Sequence, residues 1–586
     1  MLRLTSKWNI GYFAECLFFA HDWRMPVAAK WWPVAEIGIF GLVGQVFMTK
    51  AFQLEKTSVL APFKYMELVY ALLLGFIFFG ETYRWLPFVG ILLIIRDNGG
   101  DLRPNQLFLR QLYRQYSRRS SGRLYCFYTV INIVSMIRHL MFVVFMLSFF
   151  DLVSQDSGPI YDVYAFGAMG NGIANDQKAI QKAIDTCSKT GGTVLLRNGT
   201  FLTGQLLLVS NMTLRIDSTA VILGIKSDEE IYYPHHLIET EYPNRMLEDC
   251  QRRLIYGNKV KNVIITGGGT INGQGDHAKW VNVKGLGTEK DRPSLLAFVA
   301  SKNITVSNIT LLYPACWTQV YIESENIIIQ NIKVNTGKLS PNRDGIDIVD
   351  CHHVLIEDCY IQSEDDGICF KSGSEYGCKD VVVRRCTMDK LNVMAGNCIK
   401  LGTDGLGSFV DFEFSDLKLI NAYAQTAIVI ESMDGALIDN IQIRNCDIEN
   451  CGQAFFILLG DRKRTVPDRK PRIGTISNVY FENIKGRRFT QQFPSIITGI
   501  NGHNIQNVTF ENIDLELKGG IRSTDQSVME YEGKYPEGNR FGETNAYAFF
   551  VRHTDEVSFI NCKINAEEND LRPWLIPEDV KKLIVK

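Results

Sequence analysis

Three carboxylates are placed where they can do chemistry together. Residues 342–373 read N-R-D-G-I-D-I-V-D-C-H-H-V-L-I-E-D-C-Y-I-Q-S-E-D-D-G-I-C-F-K-S-G. Asp344 is followed 21 and 22 positions later by the adjacent pair Asp365 and Asp366. A short strand-like run, His353 to Cys359, lies between them. That interval is one coil of a stacked β-solenoid, whose repeats span roughly 20–50 residues. Successive coils stack at about 4.8 Å, so acids that are remote in sequence can share one face. Glycosidic hydrolysis needs such a set: a carboxylic acid to protonate the leaving oxygen and a carboxylate to activate water. The competing reading is that these aspartates are ordinary turn residues, since Asp347 and Asp350 show how common they are here.

The elements that must carry them are legible as a repeat. A phrase of Asn, apolar, any, apolar, any, Asn/Asp, apolar begins at Asn262, Asn303, Asn326, His353, Asp380, Asp411, Asn440, Asn478, Asn507 and Glu556. Alternating apolar positions mark strands with one inward face, and successive central copies from Asn303 are spaced 23, 27, 27, 31 and 29 residues apart. The seventh position is apolar or a thiol: Ile309, Ile332, Cys359, Cys386, Leu417, Cys446, Ile484, Ile513 and Cys562. Stacking would put these in one interior ladder. Asn at the turns suits backbone conformations that it tolerates by bonding its side chain to the main chain. Terminal coils need a cap. Ala179, Ile180, Ala183, Ile184 and Cys187 form a helical stripe ended by Gly191 and Gly192, which predicts an amphipathic helix sealing the N-terminal end. Gly267-Gly268-Gly269 is not a phosphate loop, because no helix and no Lys-Ser/Thr follow.

The chain has 586 residues, with 62 basic and 64 acidic side chains and a formal net charge of −2. That balance gives no reason to expect a nucleic-acid partner. Its 14 cysteines have no close zinc-type spacing and read as buried free thiols. Composition shifts along the chain. Apolar runs at about 32–52, 58–79 and 85–95 predict transmembrane helices within residues 1–96. Residues 97–135 read as a linker. Residues 136–155 resemble a signal peptide or an anchor, with Met136 and Arg138 before an unbroken apolar run. Residues 156–586 are the Asn-, Asp-, Gly- and Ile-rich solenoid.

The phrases G-L-V-G-Q-V-F-M-T-K-A-F and L-A-P-F-K-Y-M-E-L-V-Y-A-L-L-L-G-F-I-F-F-G-E-T resemble the end of an EamA-type drug/metabolite transporter half, through Ala51, Pro62, Tyr65, Gly75, Gly80 and Glu81. Two or three spans cannot enclose a transport path, so no transport is expected of this chain alone. The expectation is of a transporter fragment joined to a separate secreted enzyme.

Five further phrases, Y-D-V-Y-A-F-G-A-M-G-N-G, D-Q-K-A-I-Q-K-A-I, G-G-G-T-I-N-G-Q-G, N-R-D-G-I-D and E-D-D-G-I-C-F-K-S-G, resemble glycoside hydrolase family 28, the polygalacturonases, over residues 161–586. The resemblance implies an all-β, single-stranded right-handed parallel β-helix of the pectin-lyase type. It also implies that Asp365 is the general acid, that Asp344 and Asp366 hold the attacking water, and that no metal or cofactor is needed. Both members of the pair can serve only at a strand end or bend, where Gly367 would help. Asn342, Arg343, Lys371, Asn397, Lys400 and Glu431 are the expected substrate-binding residues. Two of these depart from the family pattern. Asn397 stands where the family has His, and Val429-Ile430-Glu431 stands where it has Arg-Ile-Lys. The cations that hold a galacturonate carboxylate in polygalacturonases are thus missing, and Lys400 is the candidate to restore a charge. Residues 461–472 read either as a solvated loop or as a basic wall recruiting uronate chains. Trp280, Tyr313, Trp317, Tyr321 and Tyr376 are candidate sugar-stacking rings, with core packing accounting for at least half of them.

The expected function is therefore inverting hydrolysis of a pectic polysaccharide, rhamnogalacturonan or a modified galacturonan, by a monomer that is secreted or held at a membrane by its N-terminal segments. The alternatives are a calcium-dependent lyase, with Arg343 as the nearby base, and a non-catalytic carbohydrate-binding solenoid.

Overall fold

The computed structural model describes residues 158–586, apart from 228–230, 235–239, 243, 245–251, 278–279, 281–291, 340, 392–394, 465–469, 522–527, 529, 531–532 and 534. The expected membrane spans, linker and signal-like segment lie outside the described residues. Among the described residues, no helix is long and apolar enough to cross a membrane.

The described residues fall within the compact unit Phe145–Lys586. They form parallel strands stacked coil on coil. One column runs through Lys302–Ser307, Glu325–Gln330, His352–Glu357 and Cys378–Arg384. A second runs through Thr310–Leu312, Lys333–Asn335, Tyr360–Ser363 and Thr387–Lys390. From Ser408–Ile420 onward the two merge, since this one long strand pairs with both Cys378–Arg384 and Thr387–Lys390. The third column carries the site: β1 (Gln319–Ile322), β2 (Ile346–Val349), β3 (Ile368–Ser372), β4 (Ile399–Gly405) and β5 (Thr426–Ser432).

The repeat phrase sets the register. Its second residues pair from coil to coil as Ile304, Ile327, Val354, Val381, Phe412, Ile441, Val479 and Val508. All of them are buried. The seventh-position ladder is likewise interior from Ile309 to Ile513, and Cys562 is half-buried. The cysteines of the described residues are free thiols.

The turn residues depart from expectation in one respect. Asn303, Asn326, Asn440, Asn478 and Asn507 do take left-handed φ values of 53–59°. Their amides, however, bond across coils rather than locally to the main chain. Asn326 Nδ2 donates to Asn303 Oδ1 at 2.9 Å, and Asn507 Nδ2 to Asn478 Oδ1 at 2.8 Å. The predicted amphipathic helix is present as α1 (Gln177–Cys187), with Ile180, Ala183, Ile184 and Cys187 buried against the first strands.

Candidate active site

Alternation decides which side chains of the site column face outward. Ile346, Ile368, Ile399 and Ile428 are in register and point into the core. Their neighbours Asp347, Cys369, Lys400 and Val429 form the next register row, on the outer face. Apolar clusters flank this polar patch on the same face. One includes Trp317, Val320, Ile322 and Val349, and the other Val429, Phe456, Leu458 and Phe541.

The acids sit in the turns that enter these strands. The turns are themselves stacked by backbone bonds: Thr318 N to Asp344 O at 2.9 Å, Gly345 N to Asp366 O at 2.9 Å and Gly367 N to Asn397 O at 2.8 Å. Asp344, Asp366 and Asn397 therefore occupy equivalent places in three successive coils. Asp365 and Asp366 sit at a bend, so both line one cleft of about 280 Å³ together with Asp344. Two glycines permit that bend. A Cβ on Gly367 would lie 2.5 Å from Cys398 O, and one on Gly396 would lie 2.2 Å from the Asp365 carbonyl carbon.

Electrostatics separates the acids. Burial, together with the charges of Asp344 and Asp366, pushes the Asp365 carboxyl up to about 7. Burial alone would raise Asp366 as well. Instead Lys400, at 3.5 Å from Oδ2, and the Asn397 backbone N–H, at 2.7 Å from Oδ1, hold it below the ordinary carboxylate range. Asp344 is pushed well up by burial and by Asp347, against the pull of Lys371 at 3.1 Å. The carboxylate oxygens of Asp344 and Asp366 approach within 4.8 Å of one another. A proton-donating carboxyl and an ionised carboxylate thus face one cleft, the pairing that acid–base hydrolysis uses.

The expected binding residues divide into two groups. Asn342, Lys371, Asn397 and Lys400 line the cleft. Lys371 is held by Asp344 and Asp347 and lies 4.0 Å from the Trp317 ring centroid. Asn397 is committed to the protein at both ends of its amide: Nδ2 donates to Asp366 Oδ1 at 3.1 Å, and Oδ1 accepts from Thr426 N at 3.0 Å. Arg343 and Glu431 are not among the residues that line the cleft, which corrects the sequence reading. Arg343 is fully buried; its guanidinium pairs with Asp276 and donates to Thr336 O at 2.7 Å and Gly275 O at 2.6 Å. Glu431 is 1% exposed, and burial pushes its carboxyl up to about 8.

Of the candidate rings, Trp317 lines the cleft. Tyr321 is core, stacked on Phe298 with centroids 5.7 Å apart, and Trp280 is buried against Tyr233. Tyr376 packs instead on His352 at 4.0 Å. From the basic loop, Arg462 and Arg464 reach the cleft, but they pair with Asp434 and Asp404. Tyr535 and Glu537 also line it. Sequence reasoning missed both, because they belong to no repeat phrase.

The family model for glycosyl hydrolases family 28 matches residues 205–532, and that for the EamA-like transporter family matches residues 10–96. A probable polygalacturonase from Vitis vinifera is 32% identical over 304 residues, covering 50% of this chain and 61% of that protein. An exopolygalacturonase (clone GBGE184) of Arabidopsis thaliana is 25% identical, covering 63% of this chain and 82% of its own. Among solved structures, the family 28 exopolygalacturonase of Yersinia enterocolitica superposes with a TM-score of 0.56 at 19% identity, covering 72% of this chain and 78% of that one. The exopolygalacturonase of Thermotoga maritima gives 0.50 at 19% identity, with 73% and 92% covered. These two likenesses show the parallel β-helix fold. With a family match over more than half of its length, the chain belongs to glycosyl hydrolases family 28.

Proposed function

We propose that the β-helix hydrolyses a glycosidic bond of a pectic polysaccharide with inversion at the anomeric carbon. Asp365 gives its proton to the leaving glycosidic oxygen as the C1–O bond breaks. A water held between Asp366 and Asp344 attacks C1 from the opposite face and loses its proton to a carboxylate. The observation that carries this reading is the divergence of the adjacent pair, Asp365 raised to about 7 and Asp366 held ionised by Lys400 and Asn397. Rhamnogalacturonan or a modified galacturonan fits the site better than plain polygalacturonate, since the cleft residue standing at the family's His position is the neutral Asn397, whose amide is already bonded to Asp366 and Thr426.

A calcium-dependent lyase is disfavoured by three observations. The Lys371 ammonium sits 3.1 Å from Asp344, and the one further donor whose ligand atom lies within 4.8 Å of both Asp344 and Asp366 among the described residues is the Cys369 thiol, a soft donor that calcium does not favour; Arg343 is buried away from the cleft. We further propose that the mature enzyme begins after the apolar run that follows Met136. N-terminal sequencing of the natural product tests this, and a mature chain that retains Trp32 would overturn it. The decisive activity test incubates the full chain with a panel of pectic polysaccharides and follows the released reducing end by NMR. Hydrolysis with an inverted anomer is expected. Sugar binding with no product from any member would leave the non-catalytic carbohydrate-binding reading in its place.

A further inference from the structure

The family match ends at residue 532, yet two residues beyond it, Tyr535 and Glu537, line the cleft. Tyr535 is 47% exposed, among side chains that are mostly buried. Its ring lies 5.8 Å from Lys400 Nζ and 5.6 Å from the Arg540 guanidinium carbon, and its hydroxyl shares a hydrogen bond with Thr403. The segment is anchored. Pro536 is buried, Asn539 Nδ2 donates to Ala424 O at 3.2 Å, and the Phe541 ring packs 5.6 Å from Phe456. Such a ring, fixed and open to the cleft, is a platform for the apolar face of a sugar.

The charges around it are already matched. Among the described residues, each cation lining the cleft faces a carboxylate: Lys371 faces Asp344 and Asp347, Lys400 faces Asp366, Arg462 faces Asp434 and Arg464 faces Asp404. Glu537 also acts on Lys400, although burial raises its carboxyl above the ordinary range. A uronate carboxylate entering beside Asp366 would find no unmatched cation, and it would pay like-charge repulsion.

We propose that Tyr535 and Glu537 determine substrate choice: Tyr535 carries the sugar beside Asp366, and Glu537 keeps a free carboxylate away from Lys400. The unit bound there is a sugar without an ionised carboxyl, such as a deoxyhexose or an esterified uronosyl unit. This rests on the hydrolase reading above and names the substrate class for the same cleft.

The test compares three oligosaccharides of equal length: unesterified galacturonan, its methyl ester and rhamnogalacturonan. Rates and calorimetric affinities are measured for the full-length wild type, Glu537→Gln, Glu537→Lys, Tyr535→Phe and Tyr535→Ala, with melting temperatures as the folding control. Wild type is expected to favour the uncharged or mixed chains. Glu537→Lys is expected to shift the ratio toward unesterified galacturonan by about tenfold or more, with Glu537→Gln shifting it in the same direction. Tyr535→Ala is expected to raise KM about tenfold with kcat little changed, and Tyr535→Phe to keep the wild-type KM, because the ring is what stacks. An affinity order that neither Glu537 variant alters, or a KM that Tyr535→Ala leaves unchanged, overturns the proposal. Absence of product with the affinity order shifted as expected would sink the hydrolase reading alone.

Discussion

Asp365 and Asp366 are joined by one peptide bond, yet their protons are held very differently. The cause is local: Lys400 and the Asn397 amide address Asp366, while burial and then the neighbouring Asp344 and Asp366 raise Asp365. Under the proposed mechanism, kcat should be flat in mildly acidic solution and fall about tenfold per pH unit above about 7, as Asp365 loses its proton. Asp366→Asn should lower kcat by about a hundredfold or more when assayed well below its melting temperature, which should itself fall because Lys400 is left unpaired. A residual rate within threefold of wild type would remove Asp366 from the mechanism. Glu431 gives a stability test. Its folded pKa, about 8, lies above its unfolded value, so its contribution is full below the ordinary carboxylate range and is lost as pH rises toward 8. Glu431→Gln should therefore lose less melting temperature than wild type between pH 5 and 8.

At the scale of the element, each coil is closed by residues in left-handed backbone, a conformation that costs a side chain bearing Cβ about 1–2 kcal/mol. Asn tolerates it, and here its amide also ties one coil to the next. Asn326→Gly should lose only the cross-coil bond, while Asn326→Ala should lose the bond and also carry strain. The Ala variant should be less stable than Gly by about 1 kcal/mol in denaturant unfolding. Equal stabilities would mean that the turn conformation costs nothing. Strand alternation puts Lys400 in the register row of Asp347 and Cys369, facing the cleft, whereas Arg343 lies in the turn before its strand and is turned to Asp276.

Across the molecule, parallel stacking turns a one-coil sequence interval into a single step of the sheet, which is how Asp344 meets Asp366. The described fold closes its core with packed rings, including Phe481 on Phe510 at 4.8 Å and Phe510 on Phe559 at 5.2 Å. Since Lys371 supplies the cationic charge beside Asp344 and Asp347, activity should be unchanged by EDTA. The products should show no ultraviolet absorbance from a new double bond. Calcium-dependent formation of an absorbing product would replace hydrolysis with elimination.

The amino-acid sequence by itself determined the coil, its register and its inward ladder, because a period-two pattern repeated at coil length has one way to bury its apolar face. It also determined that Asp344 and the Asp365–Asp366 pair could meet. The tertiary structure alone decided which motif residues face the cleft, which acid keeps its proton, and that Tyr535 and Glu537 join them. Those outcomes depend on which neighbours surround each side chain in space, and a segment outside the repeat carries no periodic signal to announce where it will pack.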